Sequence, residues 1–401
     1  MKREDIFTRI KRESDHDFIV RRLEVRTRKI TLKDRIIYPL NTLAIPFGFD
    51  RKKDTIAVFG DRLSFYVQEL AEYYNIISIG GVSKVNLMEL WKKGVHSITY
   101  RTWHRRMADG FINDDWDKVD KEIAQIEKLF KRNNVKFLIV TDLYPVIQRA
   151  VCLAAKNLNI PIAYYEHTSL VNLKEDAQIC EFYQTQAKNF TDFFWYWSEK
   201  NSKEIIGRNI ANEDNSTIIG YPYKINRLDI EKKKSVLWIG DGETHLSETP
   251  EVYYKIVEEI FEYCKKNEID FLYRPHPKEK KYFYEPLLEK GMQLSTKSLA
   301  EELEGNLVVL GGKTTVILEA GLYEDITCQI LWDKKIVEPF LFDNAYVLAP
   351  DIEKILKHIQ MALNGEVGPK PVEEYSLAIT DLKNATKAAI EKNIRQYEGK
   401  E

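Results

Sequence analysis

The chain has 401 residues, of which 44% are hydrophobic and 30% are charged, a composition typical of a globular protein with two or three domains. Sixty Lys and Arg residues are balanced by 62 Asp and Glu residues, which excludes a general binder of polyanions and leaves any anionic ligand to a local site. The four cysteines include no Cys-x-x-Cys pair, which excludes a zinc site of that spacing and argues against a disulfide framework. We therefore expect reduced and mostly buried thiols in a cytosolic protein.

The N-terminal segment 1–53 forms a basic arm ahead of the first strand signal. Met1–Leu40 holds twelve Lys and Arg residues against seven Asp and Glu residues. Such a segment is either a solvated arm or a surface for an anionic lipid or glycan. No stretch approaches about 18 uncharged apolar residues, and the N-terminus lacks the apolar core of a secretory signal. We therefore expect a cytoplasmic protein, with the inner face of the plasma membrane as the place where the arm would act.

From Thr55 onward, short β-branched and aromatic runs alternate with segments of helical periodicity. In the first half, this pattern predicts strands over Thr55–Phe59, Ile76–Ile79, Val135–Thr141, Pro161–Tyr165 and Phe193–Trp197, followed by a short run at Ser216–Gly220. The helices predicted there are Leu63–Tyr74, Trp116–Asn133, Pro145–Leu158 and Ser198–Gly207. His96 and the segment 103–106 fall in a stretch that we interpret as a polar loop without a function.

A second series of the same kind follows a polar segment at 224–234. The strands predicted there are Ser235–Ile239, Asp270–Tyr273, Leu307–Leu310 and Cys328–Leu331. The helices predicted there are Pro250–Asn267, Val316–Leu322, Ile352–Leu363 and Ala378–Tyr397.

Strands that alternate with helices of this length predict parallel sheets with helices on both faces. The predicted fold class is α/β, with two Rossmann-like domains that face each other across a cleft. The predicted divisions are a basic arm over 1–53, an N-terminal domain over 54–223, a linker over 224–234, a C-terminal domain over 235–370 and a final helix over 371–401 that can pack back on the first domain. Ligands of such sheets bind outside the carboxyl ends of the strands, so residues that directly follow strands are the candidates for a site.

The first candidate is the segment YRPHP at 273–277, which follows a predicted strand. Two prolines fix the backbone on either side of His276 and hold the imidazole at the strand end. The imidazole can donate to a phosphate oxygen or protonate it as a leaving group departs, and Arg274 can add a bidentate contact. The alternative is a histidine that satisfies backbone groups in a rigid loop.

The second candidate is the segment LGGKTTVILEAG at 310–321, where a strand ends in small and hydroxyl residues and a helix begins. A helix N-terminus offers free N–H groups and a positive dipole end to an anion, and a carboxylate one turn further on can accept from ribose hydroxyls. The alternative is an ordinary N-cap, because the full Walker A pattern is absent. The residues that carry this prediction are Gly312, Lys313, Thr314, Thr315 and Glu319.

The third candidate is the glycine-rich turn GDG at 240–242, after the first strand of the second half. Glycines at that place let the backbone approach a ligand closely. Gly240, Asp241 and Gly242 are therefore predicted to bind the same ligand as the other two segments, with a simple turn as the alternative.

Polar residues also follow strands of the first half, where we expect the general base that deprotonates an acceptor hydroxyl. Asp61, Asp142 and the pair Glu166 and His167 are the candidates, with helix caps or loop salt bridges as the alternative for each. Glu166 or His167 is favoured as the base and Asp142 as an orienting or acceptor-binding residue, because Asp142 can equally cap the helix that follows it.

These segments together resemble GT-B glycosyltransferases, specifically the bacterial surface-polysaccharide enzymes that carry an HP motif. That grouping includes sialyltransferases, Kdo transferases and CDP-glycerol glycerophosphotransferases. The segments at 135–167 and 218–222 are similar to the family's N-domain and interdomain patterns, 273–277 to its HP motif, and 312–321 to its hydroxyl-rich phosphate motif.

The resemblance implies roles for individual residues. His276 would assist departure of the nucleotide phosphate, Thr314 and Thr315 would hold phosphate, and Glu319 would lie near the ribose. The acidic base motif of the family's sialyltransferases has no clear copy in the first half.

The function that this resemblance implies is an inverting glycosyltransferase that needs no metal or other cofactor. The lack of an Asp-x-Asp after a strand agrees with independence from metals. Its partners would be a nucleotide-sugar donor, with a CMP-linked ulosonic acid favoured, and a glycan or lipid-linked glycan acceptor, without nucleic acid. The alternatives are a polyol-phosphate transferase of the CDP-glycerol type, a nucleotide-sugar 2-epimerase, and a non-catalytic protein that binds carbohydrate or nucleotide.

Overall fold

The computed structural model of the protein describes seventeen stretches of the chain. They are 49–60, 69–79, 92–98, 103, 106–107, 109–110, 113, 115–141, 146–166, 188–220, 227–240, 250–277, 279, 281–312, 314–331, 344–372 and 382–399. Most of the basic arm lies outside these residues, so its contact with a lipid or glycan stays a prediction. Within the described residues the strands form two separate parallel sheets.

The first sheet contains seven described strands in the order β3-β2-β1-β4-β5-β6-β7. The strands are β1 (Thr55–Phe59), β2 (Asn75–Ile79), β3 (Val95–Ile98), β4 (Val135–Val140), β5 (Ile162–Tyr165), β6 (Phe193–Tyr196) and β7 (Ser216–Ile218). Every residue of β1, β2, β5 and β6 is buried, as expected for a parallel sheet covered on both faces.

The longer described helices of the first half are α1 (Trp116–Arg132), α2 (Val146–Asn157) and α3 (Glu199–Gly207), and a single helical turn of three residues lies at Lys188–Phe190. The apolar residues of α1 recur at helical spacing, so that Val119, Ile123 and Ile126 form one buried face. The helix begins at Asp115, whose side chain accepts a hydrogen bond from the backbone N–H of Lys118.

The second sheet contains six described strands in the order β10-β9-β8-β11-β12-β13. The strands are β8 (Lys233–Ile239), β9 (Asp270–Arg274), β10 (Gln293–Leu294), β11 (Asn306–Gly311), β12 (Ile326–Ile330) and β13 (Ala345–Leu348). The helices that accompany this sheet are α4 (Pro250–Lys266), α5 (Lys281–Glu289), α6 (Leu299–Gly305), α7 (Val316–Leu322) and α8 (Ile352–Leu363).

The last described helix, α9 (Leu382–Glu398), follows the second half in sequence but contacts the first sheet. Asn393 Oδ1 accepts a hydrogen bond of 2.9 Å from the indole Nε1 of Trp195 on β6. Lys383 forms an ion pair of 2.6 Å with Glu72. The helix therefore ties the end of the chain to its first half.

Numbered within each half, the first six strands of both sheets follow the order 3-2-1-4-5-6, which is the Rossmann order. The predicted fold class, α/β with two Rossmann-like domains, is confirmed. The predicted limits of the domains stay a prediction, although β8 begins at Lys233, two residues before the predicted strand.

The interpretation of the segment around His96 as a polar loop is wrong. His96 lies in β3 with 5% of its surface exposed, and burial lowers the pKa of its imidazole. Trp103 is also buried, with 1% of its surface exposed. The error arises because VHSI has only two apolar residues, and its strand character comes from pairing with β2.

Two predictions from the sequence concern the cysteine thiols and membrane-spanning segments. Cys152, Cys264 and Cys328 are buried and free of disulfide bonds, whereas Cys180 lies outside the described residues. In the part of the chain that the structure describes, no helix is both long enough and apolar enough to cross a membrane.

Candidate functional site

The predicted ligand-binding segments of the second half lie at the carboxyl ends of three neighbouring strands. Ile239 at the end of β8 is in register with Arg274 at the end of β9, and Trp238 of β8 is in register with Leu310 of β11. The chain moves outward in one direction from β8 to β9 and in the other from β11 to β12, so the strand order reverses between β8 and β11. Such a switch point is where open α/β sheets bind their ligands.

Gly240 directly follows β8 and contacts the segment that follows β9. Its N–H donates a hydrogen bond of 2.8 Å to the carbonyl of Arg274. A Cβ at this position would lie 3.0 Å from the backbone nitrogen of His276, 3.1 Å from Cα of Pro275 and closer still to a carboxylate oxygen of Glu279. Close approach of two backbones therefore requires glycine here. Asp241 and Gly242 lie outside the described residues.

His276 is half-buried and lies on a tight turn. Its N–H donates a hydrogen bond of 3.0 Å to Oε2 of Glu279, and the N–H of Glu279 donates one of 2.8 Å to the carbonyl of His276. This reciprocal pair closes the turn, and Pro275 and Pro277 restrict φ on either side of the histidine. The imidazole is thus carried by a segment with little conformational freedom.

The carboxylate of Glu279 is a feature that the sequence analysis missed. Its Oε1 accepts hydrogen bonds from the hydroxyl groups of Tyr254 and Tyr273. Burial raises the pKa of Glu279 above the usual range of a glutamate, although the hydrogen bonds from these groups and from the N–H of His276 act in the opposite direction. The only signal in the sequence is a glutamate three residues after the histidine, a spacing that suits a closed turn.

Arg274 holds the end of β9 to the segment that follows β10. Its Nη1 donates to Oγ of Ser295 and to the carbonyl of Lys297, both at 2.9 Å. A phosphate contact, as predicted from the sequence, would have to use the remaining N–H groups of the guanidinium. That contact stays a prediction.

The hydroxyl-rich segment begins where β11 ends, and the helix α7 follows it. Thr314 Oγ1 accepts a hydrogen bond of 3.3 Å from the N–H of Val316, whereas the hydroxyl of Thr315 makes no capping bond to the helix. Thr314, Thr315 and Glu319 are all half-buried, and Gly312 is buried. The contact of this segment with phosphate or ribose stays a prediction, and Lys313 lies outside the described residues.

In the first half, Glu166 follows β5 and is fully buried. Its Oε1 accepts from the side-chain amide of Asn201 at 2.6 Å, and its Oε2 accepts from the N–H of Trp197 at 3.0 Å. The indole of Trp197 donates to the carbonyl of Glu166 at 2.7 Å. These bonds tie the end of β5 to the end of β6 and to α3. A role as general base stays a prediction, and it would require the carboxylate to give up one of these partners.

The other predicted base candidates of the first half, Asp61, Asp142 and His167, lie outside the described residues. The structure does describe the switch point of this sheet, between β1 and β4. There, a Cβ on Gly60 would lie less than 3.0 Å from the hydroxyl of Thr141, so these two strand ends also approach closely.

Among the described residues of the whole chain, no three His, Cys, Asp or Glu side chains are grouped so that they could hold a metal ion. Independence from metals stays a prediction.

Comparison with protein-family models finds no match to this chain. Comparison with curated proteins finds none either. Solved structures with the same architecture do exist. The UDP-GlcNAc 2-epimerase from Methanocaldococcus jannaschii has a TM-score of 0.58 at 14% identity, over 84% of this chain and 99% of that one.

Two further structures extend this similarity. The UDP-GlcNAc 2-epimerase from Neisseria meningitidis, solved with UDP-GlcNAc bound, has a TM-score of 0.59 at 11% identity, over 85% of this chain and 100% of that one. MurG from Acinetobacter baumannii has a TM-score of 0.51 at 10% identity, over 84% and 99%. At such low identity the similarity shows the fold alone. The protein therefore has the GT-B architecture of two Rossmann-like domains.

Proposed function

We propose that the protein is an enzyme that binds a nucleotide-activated sugar at the carboxyl ends of β8, β9 and β11 and transfers the sugar to a glycan acceptor. The observation that carries this proposal is the adjacency of three segments, at 240, 274–277 and 311–319, around the switch point of the second sheet. They are far apart in sequence, and each lies at the carboxyl end of its strand. The first half would hold the acceptor at the corresponding edge of its own sheet.

In this proposal the acceptor hydroxyl loses its proton to a base of the first half, and its oxygen forms a bond to the anomeric carbon of the sugar. The bond from that carbon to the phosphate oxygen breaks, and its electron pair leaves with the nucleotide. His276 would donate a hydrogen bond or a proton to that phosphate oxygen, and the Thr314 and Thr315 hydroxyls would hold the phosphate. Preorganised donors aimed at developing charge stabilise such a transition state without reorganisation.

The nucleotide and the sugar are finer points of the proposal. The resemblance to the HP-motif enzymes favours a CMP-linked ulosonic acid as the donor and a surface glycan or lipid-linked glycan as the acceptor. A thermal-shift panel of CMP, CDP, UDP and GDP would identify the base, because a ligand at 100 times its Kd stabilises the native state by about 2.7 kcal/mol.

A nucleotide-sugar 2-epimerase is the second candidate. It is supported by the TM-scores of 0.58 and 0.59 for two solved 2-epimerases, against 0.51 for MurG. An epimerase needs no acceptor, so incubation with UDP-GlcNAc alone separates the two functions. Conversion of UDP-GlcNAc to its 2-epimer without an acceptor would favour the second candidate over the first.

The test of the proposed site is His276→Ala, assayed with a sugar-linked form of the nucleotide that the panel identifies. We expect turnover to fall about 10²-fold, the size of effect typical of a lost general acid or phosphate donor, with an unchanged melting temperature. His358→Ala is the matched control, because His358 is a half-buried histidine that packs on Tyr346 of the same sheet. Near-normal turnover in a normally folded His276→Ala enzyme would contradict the proposed role of this histidine.

A further inference from the structure

The carboxylate of Glu279 lies directly behind the turn that carries His276. It contacts the backbone N–H of His276 on one oxygen and the hydroxyls of Tyr254 and Tyr273 on the other. The first oxygen also lies against Gly240, where a Cβ would collide with it. One side chain thus joins the turn after β9, the end of β8 and helix α4.

The two tyrosines that hold this carboxylate are themselves fixed by packing. Tyr273 belongs to β9, is fully buried, and packs against Tyr284 of α5 with ring centroids 5.6 Å apart. Tyr254 belongs to α4 and stacks on Phe283 of α5 at 5.6 Å and an angle of 8°. Both hydroxyls are therefore delivered by rigid elements, and burial together with the nearby carboxylate raises the pKa of each phenol. They remain neutral donors at physiological pH.

The backbone bonds of the turn and the side-chain bonds of Glu279 act together. Without the carboxylate, the N–H of His276 would lose the acceptor Oε2 of Glu279, and the reciprocal pair of bonds that closes the turn would be reduced to the bond from the Glu279 N–H to the His276 carbonyl. A donor placed for a transition state must be held within about 0.5 Å of its productive position. Misplacement of a catalytic group by about 1 Å can cost 10²-fold in rate.

We propose that Glu279 is the positioning residue of His276. Its carboxylate, held by the Tyr254 and Tyr273 hydroxyls, fixes the backbone turn that carries the imidazole at the switch point. This role rests on the proposed function of His276, and it adds a residue that acts through the histidine. It also explains why a half-buried carboxylate is present where burial alone disfavours its charge. Glutamine can partly replace it, because its amide oxygen can accept from the His276 N–H while the tyrosine hydroxyls turn to accept from its NH₂ group.

The experiment compares Glu279→Ala, Glu279→Gln, His276→Ala and the double variant His276→Ala with Glu279→Ala in the full chain. We expect kcat to fall about 10²-fold in Glu279→Ala with little change in KM, and at most about 10-fold in Glu279→Gln. The double variant should lose no more than His276→Ala alone, because Glu279 acts through the histidine. Glu285→Ala is the matched control, since that glutamate makes only an exposed ion pair with Lys281 on α5.

A second readout does not depend on turnover. The chain has seven histidines, so the imidazole signal that disappears in His276→Ala can be assigned by NMR of ¹⁵N-histidine protein. In Glu279→Ala this signal should shift or broaden while the other described histidines keep theirs. An unchanged His276 signal in Glu279→Ala would overturn the positioning role. So would a double variant whose loss of kcat is the product of the losses in the two single variants. Normal turnover in His276→Ala with a shifted signal in Glu279→Ala would instead overturn the proposed catalytic role of His276 and leave the positioning of its side chain intact.

Discussion

The first six strands of the two halves have the same order and a glycine follows the first strand of each, but the strand ends that the structure describes differ between the halves. In the first half, Gly60 lies against the buried hydroxyl of Thr141. Glu166, the acidic base candidate that the structure describes there, is fully buried and both of its carboxylate oxygens accept hydrogen bonds. In the second half, Gly240 lies against the turn of His276, and that histidine is half-buried.

The difference shows how one architecture can carry two kinds of edge. Where the strand-end polar groups satisfy one another, as Glu166 does with Trp197 and Asn201, they fix the sheet and have little capacity left for a ligand. Where they are half-buried beside a switch point, as Thr314 and Thr315 are, they can meet a ligand without first breaking the core. The second half is accordingly the half in which we propose the nucleotide to bind.

The largest effect that would test this comparison is on Glu166. Glu166→Ala removes the acceptor of the buried Trp197 N–H and of the Asn201 amide, and an unsatisfied buried donor costs about 1–3 kcal/mol. We expect the free energy of unfolding to fall by about 3 kcal/mol or more in urea titrations, while nucleotide affinity at low temperature is retained. Glu166→Gln should cost less, because the Asn201 amide can turn to accept from it.

A different result for Glu166→Ala would contradict the comparison between the two halves. If Glu166→Ala unfolds like the wild type and loses turnover at saturating donor, the carboxylate is the general base and its buried contacts do not exclude catalysis. The comparison between the two edges would then fail at this residue.

A smaller effect separates the two glycines. Gly240→Ala forces a Cβ against the His276 turn, and Gly60→Ala forces one against the Thr141 hydroxyl. Each should lower the free energy of unfolding by about 1–3 kcal/mol, as overpacking does. Nucleotide affinity measured by calorimetry should fall only in Gly240→Ala. Gly207→Ala is the control, because nothing lies within 4 Å of its Cβ position.

Equal losses of nucleotide affinity in Gly60→Ala and Gly240→Ala would contradict the division of roles. Such a result would place the nucleotide between the two edges rather than on the second one.

Much of the fold could be predicted because buried parallel strands have a strong local signal. The strand Thr55–Phe59 and the helices Val316–Leu322 and Ile352–Leu363 begin and end at the predicted residues. The strand Val95–Ile98 was missed because only its neighbour in the sheet gives it strand character, and β10 was missed because it has two residues. Local sequence carries no information of that kind.

The candidate site could be predicted only in part. The strand pattern correctly places His276 just after β9, whereas its role in a site stays a prediction. These sequence signals did not reveal Glu279, because its proposed role depends on Tyr254 of helix α4, which is 25 residues away in sequence. The burial of Glu166 could not be predicted from the sequence either. A glutamate at a strand end has the same local pattern whether it is exposed to solvent or hydrogen-bonded to Trp197 and Asn201.

The most direct test of the central claim, that the nucleotide binds on the second half, is hydrogen exchange of the full chain with and without the nucleotide that stabilises it most. Protection from exchange marks the amides that the ligand covers or orders. We predict that the nucleotide protects peptides spanning 240, 274–277 and 311–319 from exchange. The same peptides should be less protected in His276→Ala. Protection confined to peptides within 55–166, with none at the ends of β8, β9 and β11, would contradict the account.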